Sequence, residues 1–285
     1  MSKKWTPVDD SIKEQYENSA KTNLDKTQYI VVRIDGRSFS RLMKDFQKPH
    51  DKYFQQAMND TMMHLCRNIL NCRIGYTQTD EITLILAPPT NKNSPVWLNY
   101  NVQKMCSAVA SMATLEFNRA FQSATQQFRR QVNNCFTCTS QENDLVTAYE
   151  KVIKKGGGFD ARVFSVPEQE VVNVLIWRQK YTIYNALRAA GRVYFFSQEL
   201  QGKSDKKIRQ MLARKGLNYD SLPSTFRLGA CCIKTVIQNP DVDIKDGYYP
   251  KEKWILDTNV PVFSQNREYI KSALSAKEMN PCRYD

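Results

Sequence analysis

The sequence predicts an α+β fold, and three patterns carry that prediction. Runs of apolar β-formers such as "QYIVVRID" and "EITLIL" read as buried strands. Longer stretches repeat apolar residues every three or four positions and read as helices. The two kinds of segment alternate in the order β-α-β-β-α-β, which is the split βαβ, ferredoxin-like unit.

"QYIVVRID", residues 28–35, is continuous in apolar residues and so forms a first strand buried on both faces. A helix follows at about 51–70, where Phe54, Met58, Met62, Leu65 and Ile69 make one stripe. "CRIGYT" and "EITLIL" are two strands joined by Gln78, Thr79 and Asp80, a β-hairpin. "APPTNKNSP" breaks the pattern as a surface loop, and a long helix at about 97–122 carries Val102, Met105, Val109 and Met112 on one face. After the run Gly156 to Gly158, "FDARVFSV" is a fourth strand, and Pro167 suits the first turn of a helix at about 168–190. Residues 123–155 are polar and partly helical and read as an insertion before the fourth strand. Beyond 190 come a helix with Ser204 as N-cap and Gly216 as its stop, then a strand at "FRLGACCIKTVI".

Nucleotide polymerases use this unit as their palm, and RNA-recognition modules share it. The expected architecture is thus a polymerase-palm, split βαβ sheet with helices on one face, plus a smaller C-terminal section. In residues, an N-terminal extension covers 1–27, a palm-like catalytic domain 28–200 and an RNA-contacting section 201–285.

At 285 residues and 33.1 kDa the chain is long enough to bury a full core. Its longest apolar stretches fall far short of the roughly 20 residues that span a bilayer. "MSKKWTPVDDSIKEQYENSAK" has no apolar h-region and several acids, so neither a secretory nor a transit peptide fits and a cytoplasmic location is expected. Forty-one Lys and Arg against 29 Asp and Glu leave a net charge of +12, a field that attracts polyanions, nucleic acid first among them. The eight cysteines read as thiols of a reducing compartment. Cys135 and Cys138 have C-x-x-C spacing but no second such pair, and the only histidines are His50 and His64, which argues against a zinc site.

The candidate chemistry lies at strand ends. In the split βαβ topology the first and third strands are central neighbours, so Asp35 falls close to the hairpin turn that carries Asp80 and Glu81. Converging carboxylates repel unless a hard divalent cation sits between them, and two Mg²⁺ ions are the arrangement for phosphoryl transfer. One ion activates the attacking hydroxyl while the other steadies a pyrophosphate leaving group. Gly36 lets backbone approach metal or triphosphate closely, the amides from Arg37 to Ser40 offer a phosphate cradle, and Arg33, Arg37 and Lys48 are cationic donors. The helix at about 204–215 carries Lys203, Lys206, Lys207, Arg209, Arg214 and Lys215 opposite Ile208, Met211 and Leu212, a face suited to RNA backbone. "LQGKS" at 200–204 ends like a P-loop but lacks its earlier glycine, which would fall at Ser197, and follows a helix.

Taken together, "VVRIDGRSFSRL", "KPHD", "GYTQTDEITLIL", "FDARVFSVP" and "WRQ" occur in an order and spacing that resemble the tRNA-histidine guanylyltransferase family, over about residues 28–235. The resemblance implies a palm-based 3′-to-5′ nucleotidyltransferase that adds a nucleotide, typically guanosine from GTP, to the 5′ end of a tRNA. The incoming nucleotide's 3′-hydroxyl attacks an activated 5′ end, either a triphosphate or a monophosphate first adenylylated with ATP. It implies Asp35 and Asp80 as metal-binding carboxylates, Gly36 as a carbonyl ligand, and a nucleotide site lined by Asp35, Gly36, Arg37, Ser38, Phe39, Ser40, Thr79 and Asp80. Glu81 and Lys48 match further family positions at or near that site, and a homotetramer is implied.

The chain departs from the pattern where eukaryotic members carry His-Ile-Asn-Asn after the Trp-Arg-Gln triplet; here the run is Ile183-Tyr184-Asn185-Ala186. Thr79 stands for a usual serine and Ala161 for a usual glycine, both mild changes. "FSQELQGKS" is similar to the bacterial and archaeal guanylyltransferase-like branch, which resembles templated repair enzymes that restore missing 5′ nucleotides, so NTPs other than GTP are also expected substrates. Against this stand addition of one guanosine to histidine tRNA, a plain RNA-binding module and a palm nucleotide cyclase. A binding module calls for aromatics on its central strands, where "YIVVRID" and "EITLIL" instead show aliphatics ending in acids, and a cyclase has no use for the +12 charge.

Overall fold

The computed structural model describes residues 7–91, 93–135, 137–237 and 251–275; parts of the expected N-terminal extension and C-terminal section lie outside them. In chain order the elements begin with helix α1 (Pro7–Ile12), strand β1 (Tyr29–Gly36), the short helix α2 (Phe39–Leu42) and helix α3 (Lys52–Asn68). Strands β2 (Cys72–Gln78) and β3 (Glu81–Leu86) form the hairpin. Helices α4 (Val102–Asn133) and α5 (Ser140–Lys155), strand β4 (Phe159–Val166) and helix α6 (Glu168–Gly191) follow. Helices α7 (Ser197–Leu200), α8 (Asp205–Arg214) and α9 (Ser224–Leu228), strands β5 (Ala230–Ile237) and β6 (Lys251–Asp257) and helix α10 (Arg267–Ser275) complete the described chain.

One six-stranded sheet runs β4-β1-β3-β2-β5-β6, antiparallel at every pairing. Its first four strands have the split βαβ order, with β1 between β3 and β4. The C-terminal section adds β5 and β6 to the β2 edge of the same sheet.

Alternate residues of each strand point to opposite faces, and here both faces are covered. On one side Ile30, Val32, Ile34, Ile82 and Leu84 pack against the stripe Met58, Met62 and Leu65 of α3 and against Met105, Val109 and Phe117 of α4. On the other, Val31, Ile74, Tyr76 and Ile85 pack against Val171 and Leu175 of α6 and Ile270 of α10. Helices on one face were expected. They lie on both because the second apolar set of the central strands must also leave water, and α6 supplies the matching stripe. The far half of α6 builds a third, smaller core with α8, through Leu187, Ala190, Ile208 and Leu212.

Stretch 123–155 is helical nearly throughout: the last turns of α4, then α5, whose start is fixed by a capping box between Thr139 and Glu142. Val146, Tyr149 and Val152 of α5 join the main core. The long helix begins later than its spacing predicts, because Leu98 and Asn99 adopt left-handed backbone (φ 50° and 54°) and Asn101 caps α4 through Lys104 N–H.

Asp51, the last residue of "KPHD", shows what one buried carboxylate holds together. It caps α3 by accepting from the Tyr53 and Phe54 amides at 3.1 and 2.9 Å, and it accepts the Tyr149 hydroxyl of α5 at 2.7 Å. Asp51→Ala removes the cap and strands a fully buried tyrosine hydroxyl, so urea unfolding is expected to show a loss of about 2–4 kcal/mol. Tyr149→Phe keeps the cap and is expected to cost about 1 kcal/mol. Equal losses in the two variants would mean that the cap contributes nothing.

Candidate active site

Strand β1 ends with its last residues wedged between two neighbours. Register places Asp35 opposite Glu81 of β3 on one side and opposite Asp160 of β4 on the other. Residues directly across an antiparallel sheet share a face, so three carboxylates stand on the α6 side. Asp80 lies in the two-residue turn before β3, and the Gly36 amide donates to its carbonyl oxygen at 3.0 Å. A Cβ on Gly36 would sit 2.9 Å from the Asp80 Cβ and 2.6 Å from the Phe39 ring, so only glycine lets the two tips meet. Ser38 (φ 58°) and Thr79 (φ 45°) flank the junction in left-handed backbone, a conformation that costs a non-glycine residue about 1 kcal/mol or more.

The structure thus brings Asp35, Asp80 and Glu81 together, and adds Asp160, which sequence reasoning missed. Its signal was available only by combining strand order with register. Glu81 is clamped by the buried Arg178 of α6 and by Arg33 at 3.5 Å. Arg162 reaches Asp35 at 3.9 Å and Asp160 at 3.7 Å. Arg178, the centre of "WRQ", had been given no role.

These neighbours set the titration. Burial, with repulsion from Asp35 and Glu81, raises the Asp80 carboxyl to about 6. Asp35 is also raised, by burial first and then by Glu81 and Asp160, while Arg162 and Arg33 draw it back. Glu81 has two guanidinium partners of its own, whereas Asp35 and Asp80 keep charge that is incompletely offset. Two such carboxylates beside a glycine carbonyl are hard oxygen donors, and a small divalent cation between them would relieve the repulsion. Among the described residues no group of three or more His, Cys, Asp or Glu side chains encloses a metal position. Mg²⁺ does not require one, since it keeps waters and takes substrate phosphates as ligands; the donor set fits it.

Thr79 and Asp80 also border a cavity of about 460 Å³, walled by Ser40, Lys48, His50, Asn185 and Arg192 among others. Its size is that of a small-molecule site. Lys48 donates from Nζ to the Met43 carbonyl at 2.7 Å. His50 and Arg192 were not anticipated: His50 sits in "KPHD", where its ring meets Phe226 at 5.7 Å, and Arg192 follows the end of α6 with no motif around it.

The expected phosphate cradle is narrower than the sequence suggests. The Arg37 amide donates to the Gly158 carbonyl at 2.8 Å and so is occupied by strand pairing. The Phe39 ring is 1% exposed, packed on Phe54, Phe117 and Phe159, and serves the core. What faces outward are the exposed Arg37, Ser38 and Ser40 side chains and the first amides of α2, which have no intrahelical acceptor. Lys203 lies just before α8 rather than on it and is exposed, as are Lys206 and Lys207 on the helix, while Arg209 is engaged with Asp220 at 2.6 Å and lies 4.5 Å over the Tyr219 ring.

A family model described as tRNAHis guanylyltransferase matches residues 10–167. The chain belongs to that family. It is accordingly a nucleotidyltransferase on a palm-like α+β fold. Among its relatives, an uncharacterized protein of Acanthamoeba polyphaga mimivirus is 27% identical over 248 residues, 83% of this chain and 80% of its own. A probable tRNA(His) guanylyltransferase of Dictyostelium discoideum is 26% identical over 257 residues, 85% of this chain and 89% of its own. A solved bacterial tRNA(His) guanylyltransferase-like protein in complex with ATP superimposes with a TM-score of 0.74 at 26% identity, covering 94% of this chain and 99% of that one. The Saccharomyces cerevisiae tRNA(His) guanylyltransferase structure shares the fold with a TM-score of 0.61 at 22% identity, over 90% of this chain and 98% of that one. Among the described residues no helix is long and apolar enough to cross a membrane.

The Asp80 shift has a measurable sign. The folded chain holds this proton more tightly (about 6) than the unfolded chain does (3.8), so stability falls as pH rises through that window and the full cost applies above it. Without divalent metal at pH 7.5, Asp80→Asn is expected to raise the urea unfolding free energy by about 1–2 kcal/mol, with the gain shrinking toward pH 4. A gain that stayed constant with pH would remove the buried charge as its cause.

Proposed function

We propose that the chain is a Mg²⁺-dependent 3′-to-5′ nucleotidyltransferase that adds nucleotides to tRNA 5′ ends, with template-directed repair as its main activity. The observation that carries this reading is the junction of Asp35 and Asp80 about Gly36, from which Asp80 borders a cavity lined by Lys48 and Arg192. Asp35 and Asp80, with the Gly36 carbonyl, would hold two Mg²⁺ ions, whose chemistry is to acidify the attacking 3′-hydroxyl and offset charge on the leaving pyrophosphate. The other residues bind and orient. Lys48 and Arg192 meet the phosphates of GTP, ATP or another NTP, and Ser40 with the first amides of α2 supplies neutral donors. Arg178 and Arg33 fix Glu81, which in turn holds the face on which Asp35 stands.

Repair is favoured over addition of one guanosine to histidine tRNA for two reasons. The bacterial guanylyltransferase-like structure superimposes with a TM-score of 0.74 against 0.61 for the Saccharomyces cerevisiae enzyme, and the His-Ile-Asn-Asn run is replaced by Ile183 to Ala186. The second reading keeps one specific support: Asn185, the asparagine retained from that run, lines the cavity. In the same reading residues 28–200 form the catalytic unit, 201–285 supply both the far sheet edge and RNA contacts from Lys203, Lys206, Lys207 and Arg209, and the enzyme works in the cytoplasm as a homotetramer.

An extension assay with Mg²⁺ and labelled NTPs on a 5′-truncated tRNA and on histidine tRNA tests it. The expected result is addition opposite whichever base is present on the truncated tRNA; addition to histidine tRNA alone would restore the guanosine reading. Asp35→Ala and Asp80→Ala are each expected to lower kcat by at least about 10³-fold. Near-normal turnover in Asp35→Ala would defeat the metal assignment.

A further inference from the structure

Helix α6 carries Trp177, Tyr181, Tyr184 and Arg188 at successive spacings of four, three and four residues. At about 100° per residue these fall within one narrow stripe, beside the face whose Asn185, Ala189 and Arg192 line the cavity. The rings are not core: Trp177 is 40% exposed, Tyr181 51% and Tyr184 50%. Each is accompanied by a guanidinium group. Arg33 lies 5.1 Å from the Trp177 centroid, Arg178 lies 4.8 Å from Trp177 and 5.3 Å from Tyr181, and Arg188 lies 3.3 Å over Tyr184.

The stripe runs between two parts of the candidate site. At its start Arg33 and Arg178 hold Glu81, the cross-strand partner of Asp35. At its end Tyr184 and Arg188 share a surface depression with Arg192 and Lys203. Exposed Lys180 sits between the rings along the helix. The guanidinium groups beside the rings are already paired with carboxylates, Arg33 and Arg178 with Glu81 and Arg188 with Asp205 at 3.0 Å, so the ammonium groups of exposed Lys180 and Lys203 carry the excess positive charge of this face. A single-stranded nucleic acid matches both components, since bases stack on aromatic rings and phosphates meet the ammonium groups.

We infer that the unpaired 3′ strand of the RNA acceptor end lies along α6, its bases stacking on Trp177, Tyr181 and Tyr184 and its phosphates following Lys180 and Lys203. The inference rests on the proposed action on tRNA 5′ ends. It assigns the strand opposite that end to a particular helix face and gives the aromatics a function that neither metal binding nor nucleotide binding requires.

The test is fluorescence anisotropy of the full-length protein with two labelled RNA hairpins at one fixed salt concentration, one blunt and one with a short 3′ overhang. Wild-type protein is expected to bind the overhang hairpin more tightly. Tyr181→Ala and Tyr184→Ala are each expected to weaken overhang binding by roughly 5- to 100-fold and leave blunt binding unchanged, whereas Tyr181→Phe and Tyr184→Phe keep the wild-type affinity. Equal affinity of wild-type protein for both hairpins overturns the inference, as do alanine variants that keep overhang binding. Sedimentation of the same variants adds a further arm: a smaller assembly with overhang binding intact would give the stripe to a second copy and also overturn it. Wild-type protein that binds neither hairpin would defeat the tRNA reading itself, which separates the two failures.

Discussion

Three strand ends are pinned together by two backbone hydrogen bonds, and the site depends on them. The Gly36 amide holds the Asp80 carbonyl, and the Arg37 amide holds that of Gly158. These bonds force carboxylates from β1, the hairpin turn, β3 and β4 into one corner, where solvation alone would keep them apart. Left-handed Ser38 and Thr79 add local strain. Such a corner can persist only if the rest of the fold is stable without it. The aliphatic layers on the two faces of β1 and β3 provide that stability, because they bury Ile30, Val31, Val32, Ile82, Leu84 and Ile85 essentially completely.

Helix α6 is the element through which packing and chemistry are coupled. Its first turns cover one face of the sheet with Val171 and Leu175. The three residues of "WRQ" then take separate tasks. Trp177 faces solvent beside Arg33, Arg178 turns inward to Glu81, and Gln179 bonds the Phe263 amide at 2.7 Å and the Pro261 carbonyl at 2.9 Å. One turn on, Thr182 meets the Tyr76 hydroxyl at 2.7 Å. The helix is therefore bolted to β2, β3 and the loop before α10 at the level of the carboxylates, so its later turns are carried to the cavity in a defined position.

What the sequence made legible follows from which physical signals are local. The limits of β3 agree with "EITLIL" because burial on both faces gives a nearly continuous apolar run, and those of the edge strand β4 agree with "FDARVFSV" because the glycine run before it and Pro167 after it bound an alternating segment. Convergence of Asp35 with Asp80 was readable because strand order in this topology puts β1 beside β3. Other features depend on contacts that no single segment encodes. The start of α4 was misplaced because the polar break "APPTNKNSP" ends at Pro95, whereas left-handed backbone at Leu98 and Asn99 delays the helix to Val102. Arg37 was offered as a free amide because nothing in "DGRSFS" reveals that Gly158 lies across from it. Asp160 went unnoticed because only register puts it next to Asp35.

The same corner also explains why Glu81 and Asp35, although neighbours, are unequal. Four carboxylates, Asp35, Asp80, Glu81 and Asp160, are met by three guanidinium groups, those of Arg33, Arg162 and Arg178. Two of the three are committed to Glu81, the better buried partner of α6, and the third is shared between Asp35 and Asp160 at distances beyond 3.5 Å. The residual negative charge thus falls on Asp35, Asp160 and Asp80, and Gly36 brings the first and last of these together. Under the proposed reading, a divalent cation arriving with a polyphosphate would bring further oxygen ligands and counter-charge of its own to that pair. The arginines therefore do two things at once: they make the carboxylate cluster tolerable to the fold, and they leave Asp35 and Asp80, the pair that Gly36 joins, incompletely offset.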